Sequence, residues 1–156
     1  MIYIGADHRG EFLKHIIMDY FFEEKYDDVI DIDDPNADEN DDFNGYAIGV
    51  AQCAVTDPDG VGILICGSGL GMTVQANRVK GARAINGTSA ELIRIGREHL
   101  DANVLCLGAD YLDPDTAIEF VKIFLDEDLF FDGDDNHERR IKKLDEEIQE
   151  VEILNA

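Results

Sequence analysis

Cys66 stands between an apolar run, residues 62–65, and a loop with three glycines, Gly67, Gly69 and Gly71. A helix-like segment follows, so the pattern predicts a strand that ends in a glycine-rich turn at the start of a helix. Backbone N–H groups at such a turn favour anions or enolate-like oxygens. They also stabilise a thiolate, which can abstract a proton from carbon or attack a carbonyl.

Less specific interpretations of the same stretch stay open. Cysteine is most often a small buried hydrophobe, and Ser68 can cap the following helix as readily as it can bind a ligand. Many nucleotide-binding folds carry a similar loop. It is not the dinucleotide fingerprint, because it follows the third predicted strand, and the Gly-Lys-Ser/Thr of a P-loop is missing.

Polar residues at two other places in the chain could move protons or hold anions. Asp7 and His8 follow the first predicted strand, and His99 precedes the fifth. Histidine titrates near neutrality and binds anions. A polar pair after a strand is also typical of an ordinary loop, and a lone histidine at position 99 is more often structural.

Strands and helices alternate along the chain and would position these residues. The predicted strands cover residues 1–6, 28–32, 60–66, 82–86 and 103–107. The predicted helices cover residues 10–25, 43–55, 70–79, 89–96, 114–125 and 136–153. Because the central strands are apolar throughout, we expect a single domain, residues 1–156, with a three-layer α/β/α, Rossmann-like fold and a five-stranded parallel sheet. Ligands of such folds bind beyond the carboxyl ends of the strands.

The chain is strongly acidic, with 35 acidic and 13 basic residues and a formal net charge of −22. This balance argues against nucleic-acid binding. Residues 78–112 do not share this acidic excess, since they contain 5 basic and 4 acidic residues. Two compatible interpretations follow: acidic faces keep the protein soluble, as in a salty cell, and the neutral middle serves an anionic ligand.

The sequence also limits where we expect the protein to be located and which cofactors we expect it to bind. No apolar window approaches the ~18 residues of a membrane span, and no basic region precedes the first strand, so we expect a cytoplasmic protein without membrane contact. Cys53, Cys66 and Cys106 are odd in number and scattered, which argues against disulfides. Their spacing matches no metal motif, and we expect neither a metal nor a cofactor.

Taken together, the motifs resemble the type B ribose-5-phosphate isomerase family, which includes the galactose-6-phosphate isomerase subunits. The resemblance spans residues 1 to about 125. It is carried by residues 5–10 (Gly-Ala-Asp-His-Arg-Gly), 63–72 (Ile-Leu-Ile-Cys-Gly-Ser-Gly-Leu-Gly-Met), 76–78, 81–84 and 99–105.

The resemblance implies an aldose–ketose isomerase that acts without a metal on an open-chain sugar phosphate, most directly ribose 5-phosphate. Cys66 would be the base that forms a cis-enediolate, and His99 would assist ring opening. Ser68 and the loop amides would stabilise the oxyanion; the loop residues concerned are Gly67, Gly69, Leu70 and Gly71. Substrate-binding positions would be Asp7, His8, Tyr46 and Arg140.

Members of this family are commonly dimers with sites at the subunit interface. The last predicted helix, residues 136–153, is amphipathic and would pack either on its own domain or on a second subunit. By resemblance we therefore expect a homodimer that binds a small sugar phosphate.

Three positions depart from the family pattern. Leu100, Asp110 and Asn136 stand where the family usually has asparagine, arginine and arginine. An aspartate near a phosphate dianion would repel it. Either other groups, such as Arg9, His8 and Arg140, hold the phosphate, or the substrate is a different or unphosphorylated sugar. A third interpretation is a non-catalytic subunit that needs a heteromeric partner.

Overall fold

The computed structural model describes residues 1–33, 42–126 and 134–145. Its strands are β1 (Ile2–Ala6), β2 (Val29–Asp31), β3 (Val61–Cys66), β4 (Ala84–Asn86) and β5 (Val104–Gly108). Its helices are α1 (Glu11–Glu23), α2 (Phe43–Thr56), α3 (Leu70–Ala76), α4 (Ala90–Leu100), α5 (Pro114–Phe124) and α6 (Asp135–Asp145). The strands form one parallel sheet in the order β2-β1-β3-β5-β4.

Two hydrophobic clusters cover the two faces of this sheet. Alternate residues of β3 point to opposite faces: Ile63 and Ile65 pack with α1, α4 and α5, whereas Leu64 and Cys66 pack with α2 and α3. All four side chains are buried, as the continuous apolar runs of the central strands predict. The predicted three-layer α/β fold is therefore confirmed.

A buried lysine fixes the edge strand β2. Lys14 of α1 is 2% exposed, and its Nζ lies 3.1 Å from a carboxylate oxygen of Asp31 and 3.2 Å from oxygens of Glu11 and Asp33. Burying an ammonium costs free energy unless it is paired. The three carboxylates supply that pairing and hold the end of β2 against α1.

Two helix ends differ from the sequence prediction. Helix α4 continues through Gly96 to Leu100, because Gly96 allows close packing on Ile85 of β4 and the chain turns only at Asp101, which has a φ of +48°. Helix α3 ends at Ala76. The side chain of Asn77 bonds both the N–H and the carbonyl of Ala84 and so links this end to β4.

The final helix is described only in part. Helix α6 begins near the predicted position and continues to Asp145. The remaining predicted helical residues, 146–153, lie outside the described residues, as do residues 34–41. Within the described parts of the chain, no helix is long and apolar enough to cross a membrane.

Helix α1 begins against the backbone of β3, and Gly10 permits this contact. A Cβ at Gly10 would lie 2.4 Å from the carbonyl oxygen of Ile65. We expect Gly10→Ala to lower the free energy of unfolding by about 2 kcal/mol, because backbone must shift to relieve the overlap. Chemical denaturation measures the change. Gly45→Ala, on an exposed position inside α2, is the matched control and should be neutral or stabilising; equal stability of the two variants would contradict the close contact.

Candidate active site

A cavity of about 620 Å³ opens at the carboxyl edge of the sheet. Its walls come from the ends of β1, β3 and β5 and from the start of α2, where the fold class predicts a ligand. The lining residues are Asp7, His8, Arg9, Asp42, Phe43, Cys66, Gly67, Ser68, Gly71, Asp110 and Tyr111.

The sulfur of Cys66 faces a backbone amide. Cys66 is the last residue of β3 and is 5% exposed, and the N–H of Gly69 donates a hydrogen bond to its Sγ over 3.1 Å. This amide immediately precedes α3, so it belongs to the electropositive end of that helix. A backbone donor and a helix N-terminus are the two features that commonly surround reactive cysteines in proteins.

Gly69 can make this contact because it has no side chain. Its φ is +76°, a left-handed conformation that favours glycine. A Cβ there would lie 2.7 Å from Oδ1 of Asn86 and 3.1 Å from the carbonyl carbon of Leu107. Close neighbours on β4 and β5 therefore enclose the turn that directs the amide at Cys66.

The rest of the loop shapes the cavity wall. Ser68 is half-buried, and its Oγ accepts a hydrogen bond from the N–H of Leu70 over 3.3 Å. Leu70 itself is 61% exposed. A Cβ at Gly71 would lie 2.9 Å from the ring of Phe43, so the missing side chain leaves room for an aromatic wall.

The Asp7 carboxylate organises the turn between β1 and α1. Asp7 is buried, and its Oδ1 accepts hydrogen bonds from the N–H groups of Arg9 (3.0 Å) and Gly10 (3.1 Å). An aspartate that bonds the backbone two residues on is a common turn device. The carboxylate thereby holds its neighbours His8 and Arg9 at the cavity.

An ion pair crosses the cavity beside Cys66. Nη2 of Arg9 is hydrogen-bonded to Oδ2 of Asp110. A Cβ at Gly67 would lie 2.8 Å from Nε of Arg9 and 2.9 Å from Oδ2 of Asp110, so the pair lies directly over this glycine. Within the described residues, Arg9 is the only arginine or lysine that lines the cavity.

The sequence analysis missed several residues that line the cavity. The apolar periodicity assigns Phe43 to the packed face of a helix, and Asp42 directly follows residues 34–41, which lie outside the described residues. Tyr111, which is 80% exposed, lies three residues beyond β5. The rule that ligands bind beyond strand ends could have found Tyr111.

Tyr46 is placed in the core and not at the cavity. It is 4% exposed on α2, and its Cβ lies 3.6 Å from the position that a Cβ on Gly5 would take. Phe43, almost one turn earlier on the same helix, contributes the aromatic wall instead.

His99 lies at the opposite edge of the sheet from Cys66. It occupies the last turn of α4, which runs antiparallel to the strands for about 16 Å. Asp101, two residues later, lines a second cavity of about 990 Å³ together with Met1 and Gly60, which precede β1 and β3. One chain therefore does not bring His99 to Cys66.

Helix α6 packs beside His99. The His137 ring stacks on that of His99 with centroids 4.3 Å apart. Arg140 lies exposed on the same helix, away from the cavity of its own chain.

The other two cysteines lie apart from the cavity. Cys106 on β5 is fully buried, and burial raises the pKa of its thiol to about 12, so it stays protonated at neutral pH. Cys53 is half-buried within α2. All three cysteines are free thiols. Within the described ranges no group of three or more His, Cys, Asp or Glu residues could hold a metal ion.

Comparisons with known proteins agree on one family. The family model described as Ribose/Galactose Isomerase matches residues 2–144. The probable ribose-5-phosphate isomerase B of Mycoplasma pneumoniae is 36% identical over 143 residues, which cover 92% of this chain and 91% of that protein.

Solved structures agree with the sequence relatives. The crystal structure of a ribose 5-phosphate isomerase from Thermotoga maritima has a TM-score of 0.84 at 35% identity, with 92% of this chain and 96% of that chain covered. Ribose-5-phosphate isomerase B of Mycoplasma genitalium with bound ribulose-5-phosphate has a TM-score of 0.82 at 36% identity, with 92% and 93% covered.

Alkylation rates can test the environment of the Cys66 sulfur. We expect iodoacetamide to modify Cys66 faster than Cys53, although Cys53 is the more exposed thiol, because the reacting species is the thiolate. Cys106 should stay unmodified in the folded protein. Mass spectrometry of timed samples measures all three rates, and a faster reaction at Cys53 would contradict a stabilised Cys66 thiolate.

Proposed function

Because the chain belongs to the ribose/galactose isomerase family, we propose that it is an aldose–ketose isomerase that interconverts ribose 5-phosphate and ribulose 5-phosphate. The observation that carries the proposal is the 3.1 Å hydrogen bond from the Gly69 amide to the Cys66 sulfur at the cavity. The relative from Mycoplasma genitalium, whose structure contains ribulose-5-phosphate, supports this choice of substrate.

Cys66 is the base in the proposed reaction. Its thiolate takes the proton from C2 of the open-chain aldose, and the C–H electron pair forms a double bond between C1 and C2. The electrons of the C1 carbonyl move onto its oxygen, which gives a cis-enediolate. The Cys66 thiol then returns the proton to C1, while the proton on the C2 hydroxyl passes to the C1 oxygen and leaves the ketose.

The loop after Cys66 stabilises the two charges of this reaction at different atoms. The Gly69 amide donates its hydrogen bond to the Cys66 sulfur and stabilises the thiolate before the proton is taken. The first-turn N–H groups of α3 have no acceptors within the helix, and the proposal assigns them, with Ser68, to the enediolate oxygens that form next. Loss of one such donor commonly costs about 3 kcal/mol of transition-state stabilisation.

The remaining groups of the reaction come from a second copy of the chain. His99, which assists ring opening, and Arg140, which binds the phosphate, lie away from the Cys66 cavity of their own chain. A homodimer that brings these groups to the partner's cavity accounts for their positions. The exposed apolar residues Leu70 and Val74, one turn apart on α3, support a subunit contact beside the loop.

One observation favours a second candidate, an isomerase of a different or unphosphorylated sugar. Among the described residues, three carboxylates line the cavity, those of Asp7, Asp42 and Asp110, against the single guanidinium of Arg9. This excess of negative charge opposes a phosphate dianion. The intact arrangement of Cys66 and Gly69 argues against a third interpretation, a non-catalytic subunit.

Removal of the base tests the proposed activity. We expect Cys66→Ala to lower kcat/KM for ribose 5-phosphate by roughly 10²–10⁴-fold, because the change removes the proposed proton acceptor. Cys53→Ala is the matched control and should keep wild-type turnover. Thermal unfolding shows whether both variants stay folded.

The same assay discriminates between the candidate functions. Ribose 5-phosphate, allose 6-phosphate, galactose 6-phosphate and their unphosphorylated sugars form the substrate panel. Faster turnover of a neutral sugar would favour the second candidate, and near wild-type activity of Cys66→Ala on the preferred sugar would refute Cys66 as the base. No turnover of any sugar by the wild-type protein would favour a non-catalytic subunit.

Complementation tests whether sites are shared between subunits. Cys66→Ala and His99→Ala homodimers should each be nearly inactive. When the two chains are co-expressed, one site of each heterodimer carries both changes and the other carries neither, so activity should recover to about a quarter of wild type. A mixture that stays inactive, although mass spectrometry detects heterodimers, would place His99 with the Cys66 of its own chain.

A further inference from the structure

The Arg9–Asp110 pair is anchored at both ends to the loops of the cavity. The N–H of Arg9 is bound by Asp7, and the N–H of Asp110 donates to the carbonyl oxygen of Gly67 over 3.0 Å. The neighbouring N–H of Ala109 donates to the carbonyl oxygen of Cys66 over 2.9 Å. The two side chains therefore meet from backbone positions that are fixed relative to the base.

The carboxylate holds a side chain that would otherwise be mobile. The Arg9 side chain is 57% exposed, and a long exposed side chain loses rotamer entropy when it binds a ligand. Pairing with Asp110 limits that loss because the guanidinium is already oriented. Only the Nη2 end makes this bond, and a guanidinium has five N–H donors in a planar fork.

We propose that Arg9 binds the phosphate of the substrate and that Asp110 is a positioning residue that holds Arg9 over Gly67. This inference rests on the proposed function, because it concerns how the same cavity recognises an anionic sugar. The cation that the family usually supplies from position 110 comes here from the loop between β1 and α1. A planar fork suits bidentate contact with phosphate oxygens.

The charges in the cavity support this assignment. Arg9 is the only arginine or lysine in the lining that the described residues provide, beside the carboxylates of Asp7, Asp42 and Asp110. Asp110 is paired with Arg9, and Oδ1 of Asp7 accepts two backbone N–H groups. Without Arg9, an anion in the part of the cavity that this chain supplies would meet carboxylates and only the imidazole of His8, with no arginine or lysine of the described lining to complement Arg140 of a second copy.

Substitution of Asp110 distinguishes two roles for this residue, because positioning of Arg9 and repulsion of the phosphate predict opposite changes in KM. If Asp110 positions Arg9, Asp110→Asn should raise KM for ribose 5-phosphate several-fold, although it removes a negative charge. If Asp110 only repels the phosphate, the same change should lower KM, and that result would overturn its positioning role. In an Arg9→Met background, Asp110→Asn should no longer raise KM, because the residue acts through Arg9.

Substitution of Arg9 tests its contact with the phosphate. Arg9→Met should raise KM by on the order of tenfold or more, the usual loss for a charge-assisted hydrogen bond. The inhibition constant of inorganic phosphate should rise in parallel, with little change in kcat. Arg94→Met, at an exposed position on α4 outside the cavity, is the matched control and should change neither constant.

Binding of inorganic phosphate separates failure of this inference from failure of the proposed function. Phosphate should raise the melting temperature of the wild-type protein and of Arg94→Met, and should raise that of Arg9→Met by much less, because only Arg140 of a second copy would still bind it as a cation. This readout needs no turnover, so it holds even if ribose 5-phosphate is not a substrate. Equal stabilisation of wild type and Arg9→Met, or none of the wild type, would overturn the role of Arg9.

Discussion

The environment of the Cys66 sulfur depends on one backbone amide, that of Gly69, and on its direction toward that sulfur. The chain must turn sharply between the end of β3 and the start of α3 to achieve this, and the left-handed conformation of Gly69 makes the turn. The sheet supports this turn, because the backbone at Ser68 packs directly on Gly108 of β5. The packing of the neighbouring strands thus fixes the geometry at the Cys66 sulfur.

Much of the architecture could be predicted from local sequence. The continuous apolar runs of β3 and β5 require burial on both faces, and strand ends then locate the site. Helix ends follow less well from local sequence: the predicted helix ends at Gly96, whereas α4 continues to Leu100 and Gly96 is a point of close packing with Ile85. The contact partner of a glycine is a tertiary property that no local pattern records.

The residues of the candidate site that directly follow strands could be predicted from the sequence. Side-chain pairs between residues far apart in the chain could not. Cys66 and Asp7 meet at the cavity because parallel strands end at one edge. The bond between Arg9 and Asp110 joins residues 101 positions apart, and the sequence alone suggests only that Asp110 repels a phosphate. His99 shows the converse: the family resemblance groups it with Cys66, but α4 carries it to the far edge of the sheet within one chain.

Gly67 makes positions 9, 67 and 110 evolutionarily interdependent. A side chain at 67 would displace the ion pair that lies over it, and an arginine at 110 would face a like charge at 9. A replacement at only one of these positions is unfavourable. If an ancestral chain had arginine at 110, a first replacement at one position would have been followed by a second that compensated for it. Homologous sequences should therefore covary at these positions, with an acid at 110 inherited together with a base at 9.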